Sequence, residues 1–344
     1  LWALRLAAVC VVAYTALALW REFSELQGAL NGYSTGGEVL QWWIAWTVFL
    51  AVTLGLPFAF INIILKGVSL AVPLVIMLTM VPVYYFWGWF KADVYHNMAI
   101  YFSKQGKWEE AIAHYKKVNK FNPYFIMPYY FTGNVFNDRF NMTPQYRPEW
   151  GDEKDSPRTD FDRAMAAYEK VRRIAPNYVQ MHHQVGTLYM KMHDYYMGQG
   201  KPQQASEALD KALARLNLYE NLDPVYPPNY YRKAQIYVAR RDFKSAEREY
   251  LRNLSGWKCY HNMKTESGRA RGEQHRTLEA YTYLGNVEYA LNKPREALEA
   301  YAKALELNPA AQPARAQYEA LKQRLGITEF KPSPGLDVWF PPDK

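Results

Sequence analysis

Hydrophobic and polar positions follow two regimes along the chain. Residues 2–20, 41–65 and 67–90 are apolar runs, and the second and third contain no charged residue. As a helix rising about 1.5 Å per residue, each of these two is long enough to cross a hydrocarbon layer of about 30 Å. Only Lys66 separates them, so the pattern predicts an antiparallel hairpin whose outer ends share one interface. Trp42, Trp43 and Trp46 open the first of these helices and Trp87 and Trp89 close the second, as an aromatic belt at a membrane surface would. Segment 2–20 has some features of a signal peptide, but the two spans behind it favour a retained third helix. A membrane module over residues 1–90 is therefore expected. Beyond residue 90 the chain becomes polar and self-similar.

The clearest repeating unit runs from Tyr281 to Pro309, with Leu284, Gly285, Ala297, Tyr301 and Ala304 at its landmarks. The stretch after the membrane module keeps the same spacing through Met98, Ala99, Phe102, Gly106, Trp108, Ala111, Tyr115, Val118 and Pro123. Both resemble the tetratricopeptide repeat, in which small residues sit where two antiparallel helices cross and a proline ends the second helix. Three weaker units lie between them. Gly133 and Phe136 pair with Ala164, Tyr168, Val171 and Pro176 across a polar insert near 141–159. Gly186 and Tyr189 pair with Gly200, Ala205 and Leu209, with both helices extended towards Pro224. Ala234 and Tyr237 pair with Phe243, Ala246 and Tyr250, followed by a polar stretch near 254–276. A helix near 311–325 is expected to cap the array, and residues 326–344 form a Pro-rich extended tail. The predicted fold is thus all-α: transmembrane helices, then a solenoid of about five repeats over 91–325, for which the resemblance implies a right-handed superhelix.

Composition sharpens this partition. Of 344 residues, 49% are hydrophobic and 22% charged, which excludes a disordered chain. Residues 1–90 hold only Arg5, Arg21, Lys66, Glu22, Glu25 and Glu38, so the formal charge of +8 belongs to the repeats. Arg5 and Lys66 fall on one membrane side and the acidic 21–40 loop on the other, and the positive-inside rule then puts the repeats on the periplasmic side of a bacterial inner membrane. Nucleic acid is not an expected partner there. Scattered Lys and Arg suit anionic lipid headgroups or an acidic protein instead.

Candidate chemistry is sparse. Cys10 and Cys259, the two cysteines, cannot form a disulfide framework. Cys259, His261 and His275 share the 254–276 stretch without the spacing of a metal site, and Glu149 to Asp155 lacks the alternation of a calcium loop and reads as solvated surface. No phosphate-binding, dinucleotide or nucleophile motif occurs, so neither catalysis nor a cofactor is expected. The family binds partners through the inner face of its first helices. Carrying those positions over implies a groove that includes His96, Tyr130, Asn134, Asn137, His183, Tyr231, Gln235, Asn286 and Tyr289. Amides and tyrosines suit a peptide main chain or a sugar, and the lysines with which chaperone-binding members clamp a terminal carboxylate are missing.

These readings converge on a non-enzymatic, membrane-anchored scaffold. Its membrane helices would pack against other membrane subunits and the lipid bilayer, and its groove would take a peptide or protein. Two alternatives remain open: a relative of the polytopic O-antigen ligases and polymerases, whose spans also precede such repeats, and an organellar import receptor with the opposite topology.

Overall fold

The computed structural model describes the backbone of residues 71–261 and 270–332, and side chains within 87–256 and 277–332. Eleven α-helices cover these residues: α1 (Ala71–Lys104), α2 (Trp108–Phe121), α3 (Ile126–Arg139), α4 (Asp160–Ile174), α5 (Val179–Gly198), α6 (Pro202–Leu222), α7 (Pro227–Ala239), α8 (Phe243–His261), α9 (Ala270–Ala290), α10 (Pro294–Leu307) and α11 (Gln312–Leu325). The chain divides into two compact units at Ala175/Pro176. The first carries α1/α2 and α3/α4, the second α5/α6, α7/α8, α9/α10 and the final α11.

Four of the five pairs are helical hairpins closed by the same local chemistry. Gly106, Gly200, Arg241 and Asn292 take left-handed φ values of 72°, 68°, 59° and 60°. At each, two backbone N–H groups fold back onto the preceding helix, as where Asn292 and Lys293 donate to the Tyr289 and Glu288 carbonyls at 3.0 and 2.9 Å. That is the Schellman closure of a helix C-terminus. The second helices of four pairs end at Asn122, Ala175, Asp223 and Asn308, whose extended φ of −138° to −147° is what a following proline imposes.

Within each pair a small residue of the first helix lies beneath a large one of the second. A Cβ built on Gly133 would stand 2.4 Å from the Tyr168 ring, on Gly285 2.6 Å from the Tyr301 ring, and on Gly186 2.7 Å from Leu216. Fully buried Ala99 with Tyr115 and Ala234 with Tyr250 fill the corresponding places in the other two pairs. The third pair corrects the expected pairing of Gly186 with Ala205 and Leu209. Leu216 covers Gly186 instead, seven residues further on, because α5 and α6 are 20 and 21 residues long where α2, α3 and α10 have 14. Seven residues are close to two helical turns, so lengthening both helices by that amount preserves their facing sides.

Other boundaries also shift. One continuous helix, α1, runs through the expected module boundary at residue 90, and Trp87 is buried with Tyr95, Met98 and Val118 rather than placed on a membrane belt, whereas Trp89 is half exposed. The polar stretch near 254–276 is helical as far as His261 and again from Ala270. Among the described residues no helix is long and apolar enough to cross a membrane. The spans at 2–20 and 41–65, with Trp42, Trp43 and Trp46, lie outside the described residues, as do the side chains of Cys259, His261 and His275 and the tail beyond residue 332.

The insert after α3 is ordered. It departs through Phe140 in a left-handed turn, makes a single bridge between Gln145 and Arg158, and enters α4 through a capping box in which Thr159 and Asp162 bond each other's backbone N–H groups. Asp160, 1% exposed, receives two parallel bonds from Arg139 at 2.7 and 2.8 Å. Asp152 is buried against Arg163 and accepts the Arg147 N–H at 3.0 Å. Trp150 is ringed by the guanidinium groups of Arg139, Arg147 and Arg163 at 4.9, 5.1 and 4.9 Å. Within 149–155 the solvated reading holds for Glu149, Gly151, Glu153, Lys154 and Asp155, which are exposed, and it fails at Asp152, because sequence spacing cannot show that this carboxylate finds a buried cation eleven residues later.

The pair geometry makes two sets of variants informative. Tyr168 and Tyr301 donate their hydroxyls to Asn134 and Asn286 at 2.8 and 2.7 Å, whereas the buried Tyr115 hydroxyl has no partner. Tyr115→Phe should therefore hold or raise stability, while Tyr168→Phe and Tyr301→Phe should each cost about 1 kcal/mol, as read by denaturant unfolding. Arg241→Gly should stabilise by about 0.5–1 kcal/mol and Asn292→Gly by less, since Asn tolerates the left-handed region better than Arg. Melting temperatures of the two variants test that ranking.

Candidate functional site

The positions expected to line a groove divide by burial. In the first unit His96 is 7% exposed and lies among the rings of Tyr115, Phe125 and Phe131 at 5.9, 5.1 and 5.6 Å. Burial pushes its imidazole below the ordinary range, against the opposing pull of Asp93, so the ring stays neutral at pH 7. Tyr130 packs on Phe131 and Tyr168, and Asn137 is 1% exposed. In the second unit His183 stands edge-on to Tyr219 and Tyr226 at 5.8 and 5.6 Å. These four residues correct the groove expectation. They sit at first-helix positions that face the interior, where aromatic rings pack against His96, Tyr130 and His183 and where Asn137 is buried. Asn134 is half-buried and accepts the Tyr168 hydroxyl.

The remaining four lie on α7 and α9 of the second unit, which Tyr231 links through Glu279 and Tyr283. Tyr231 donates to Glu279 at 3.4 Å, and Gln235 accepts from Arg232 at 2.9 Å. Asn286 is exposed while accepting from Tyr301, and Tyr289 is 47% exposed with its hydroxyl held by Arg324 of α11. Between them lies Tyr283, 44% exposed, its ring 6.3 Å from Tyr231 and stacked at 6.4 Å on Tyr250. Tyr283 is absent from the expected lining because the family's position falls on its neighbour, Thr282. Both follow Glu279 at helical spacing, and 279, 283 and 286 share a face. Thr282 spends its hydroxyl on the Leu278 carbonyl at 2.9 Å.

This surface is positioned by ionic packing below it. Lys233, between Tyr231 and Gln235, is 4% exposed and pairs with Glu220 of α6 and, at 3.4 Å, with Glu249 of α8, which Arg252 also meets at 3.4 Å. Burial raises the Glu249 carboxyl, with Lys233 and Arg252 opposing. Asn229 and Asn253 add bonds to the Leu216 and Pro227 carbonyls at 2.9 and 2.7 Å. Such a network fixes how α7 sits on its neighbours more than it adds net stability. Rings held in place by packing and amides with spare hydrogen-bonding capacity can recognise an extended main chain with little ordering cost. Among the described residues no group of His, Cys, Asp or Glu is placed to hold a metal ion.

Models of the tetratricopeptide repeat match residues 92–118 and 278–310, so the chain carries tetratricopeptide repeats in both units. The described fold is similar to a thermophilic tetratricopeptide-repeat protein, TTC0263, from Thermus thermophilus, with 16% identity over 67% of this chain and 99% of that one and a TM-score of 0.43. It is also similar to MamA from residue 41 onward of Desulfovibrio magneticus, at 17% identity over 64% and 97% with a TM-score of 0.42. A third is the C-terminal part of a repeat protein from Cytophaga hutchinsonii, at 16% identity over 66% and 72% with a TM-score of 0.40. No curated protein matches the chain.

Beside this surface Glu288 is 7% exposed, and burial, reinforced by Glu247 and Glu296, raises its carboxyl to about 8. The folded state thus binds its proton more tightly than the unfolded state, and stability falls as pH rises from about 4.5 towards 8. Glu288→Gln should match the wild type at pH 4.5 and exceed it at pH 9 by an amount on the order of 4 kcal/mol. Equal unfolding midpoints at pH 9 would refute this.

Proposed function

We propose that the chain is a non-enzymatic adaptor that binds an extended segment of a protein partner on the Tyr231, Gln235, Tyr283, Asn286 and Tyr289 surface. The observation that carries this reading is the exposure of Tyr283 and Tyr289 beside the exposed Asn286 on one helix. Large exposed rings flanked by amides are what interfaces enrich and what a packed core does not need. In this reading the apolar runs at 2–20, 41–65 and 67–90 hold the adaptor in a membrane, and the repeats lie on the periplasmic side of a bacterial inner membrane. Three spans exceed what a tether requires. Lateral packing against other membrane subunits in a larger complex accounts for them, which makes the chain a complex subunit rather than a solitary anchor.

The test is extraction of the native membrane in mild detergent, followed by mass-spectrometric identification of proteins that co-migrate stoichiometrically. Tyr283→Ala combined with Tyr289→Ala should release the partner bound by the repeats, with helical content and melting temperature little changed. Companions held by the membrane helices should remain. A lone chain after gentle extraction, or one carrying lipid-linked sugar, would overturn the adaptor reading in favour of a relationship to glycan ligases.

A further inference from the structure

The insert between α3 and α4 has a consequence for recognition as well as for packing. Together with α2, α3 and α4 it encloses a cleft of ≈ 130 Å³. Cavities that take a whole small molecule generally run from about 300 Å³ upward, so this one suits a single side-chain group of a larger partner. Its lining includes four cations, Lys116, Arg158, Arg163 and Lys170. Asp152 is the one carboxylate among the described lining residues, and it is engaged by Arg163 and by the Arg147 backbone. Glu149 lies close enough to act on Lys116, but its carboxylate pairs with Arg147 at 3.4 Å and its backbone carbonyl takes the Lys116 ammonium.

The cleft is therefore positive after its internal pairs are formed, and it has unused hydrogen-bonding groups. Arg163 is 5% exposed, and its Nε is buried with no partner although its Nη2 bonds Asp152 and, at 2.7 Å, the Gln145 carbonyl. A buried guanidinium N–H without an acceptor is costly, and its natural complement is an anion. Asn119 Oδ1, also buried in this lining, lacks a donor. A peptide supplies both groups, its acidic side chain an acceptor and its main chain an N–H. Trp150, fixed by its three guanidinium neighbours, forms one wall.

We propose that this cleft binds the oxyanion of an acidic side chain, a carboxylate or a phosphate, on a peptide segment of a protein partner. It is built by residues of the first unit and does not depend on the tyrosine surface of the second.

Calorimetric titration of the full chain in a neutral detergent tests this with four probes. They are blocked Gly-Glu-Gly, Gly-phosphoSer-Gly and Gly-Gln-Gly tripeptides, and inorganic phosphate. At least one anionic tripeptide should bind with an affinity that falls as salt is raised, and the glutamine tripeptide should not. Which anionic tripeptide binds identifies the source of the oxyanion. Lys170→Gln together with Arg158→Gln, both away from the Arg163–Asp152 pair, should weaken that binding at least about tenfold while leaving the circular dichroism spectrum unchanged. Equal binding of the glutamine tripeptide, no effect of the double variant, or binding of inorganic phosphate with neither anionic tripeptide would overturn the proposal.

Discussion

The crossing of a small residue under a large one is the constraint on which each helix pair depends. Gly133 and Gly285 leave no room for a Cβ beneath Tyr168 and Tyr301, and Gly186 leaves none beneath Leu216. Close approach of the backbones lets the tyrosine ring lie across the partner helix, and its hydroxyl then reaches the residue after the glycine. In the two complete examples that residue is Asn134 or Asn286. The first pair uses Ala99 followed by Ile100, so the Tyr115 ring is buried in the same way while its hydroxyl has nothing to donate to. The steric part of the device thus survives substitutions that remove its polar part. Packing sets the geometry, and the hydrogen bond is added where the sequence permits.

The same constraint explains what can be read from the chain. Landmarks three, four and seven residues apart on one helix mark buried faces whatever lies between the helices, so all five pairs and the final α11 are legible. The third pair is recognisable in the sequence, but its register is not. The sequence shows that both helices extend towards Pro224, but its small residues, Gly186 and Ala205, suggest Leu209 as the crossing residue, and only the fit of Leu216 against Gly186 shows that the crossing lies two turns further on. A glycine identifies a close approach without identifying the atom that makes it.

The binding surface is legible to a lesser degree for the same reason. First-helix positions carry over by number, but position does not distinguish a side chain facing open space from one facing the next aromatic ring. His96 and His183 occupy expected lining positions and are enclosed by three and two rings, while Tyr231 and Tyr289 keep access. Tyrosines are abundant throughout the repeats, so their number carries no information about which are presented. What distinguishes Tyr283 and Tyr289 is local: with Asn286 they form a row at three-residue spacing that stays exposed on α9, while Leu284 and Val287 beside it fill the core.

The insert obeys a different logic. Repeat positions recur, so one well-read unit informs the others, whereas the insert occurs once and its partners are set by tertiary proximity. Arg139 ends α3, Asp160 begins α4, and Arg163 lies one turn further. The insert must return Asp152 to Arg163 and Trp150 to all three arginines. Burying two carboxylates and a guanidinium to this extent is unfavourable unless each is paired, so the pairs select one path for the loop more than they stabilise it. That selection is incomplete at Arg163, where Asp152, Asp160 and a carbonyl engage the terminal nitrogens and leave Nε unmet. In a segment otherwise closed by matched charges, one unmatched donor beside Lys116, Arg158 and Lys170 has an electrostatic rationale if the final acceptor arrives with a partner.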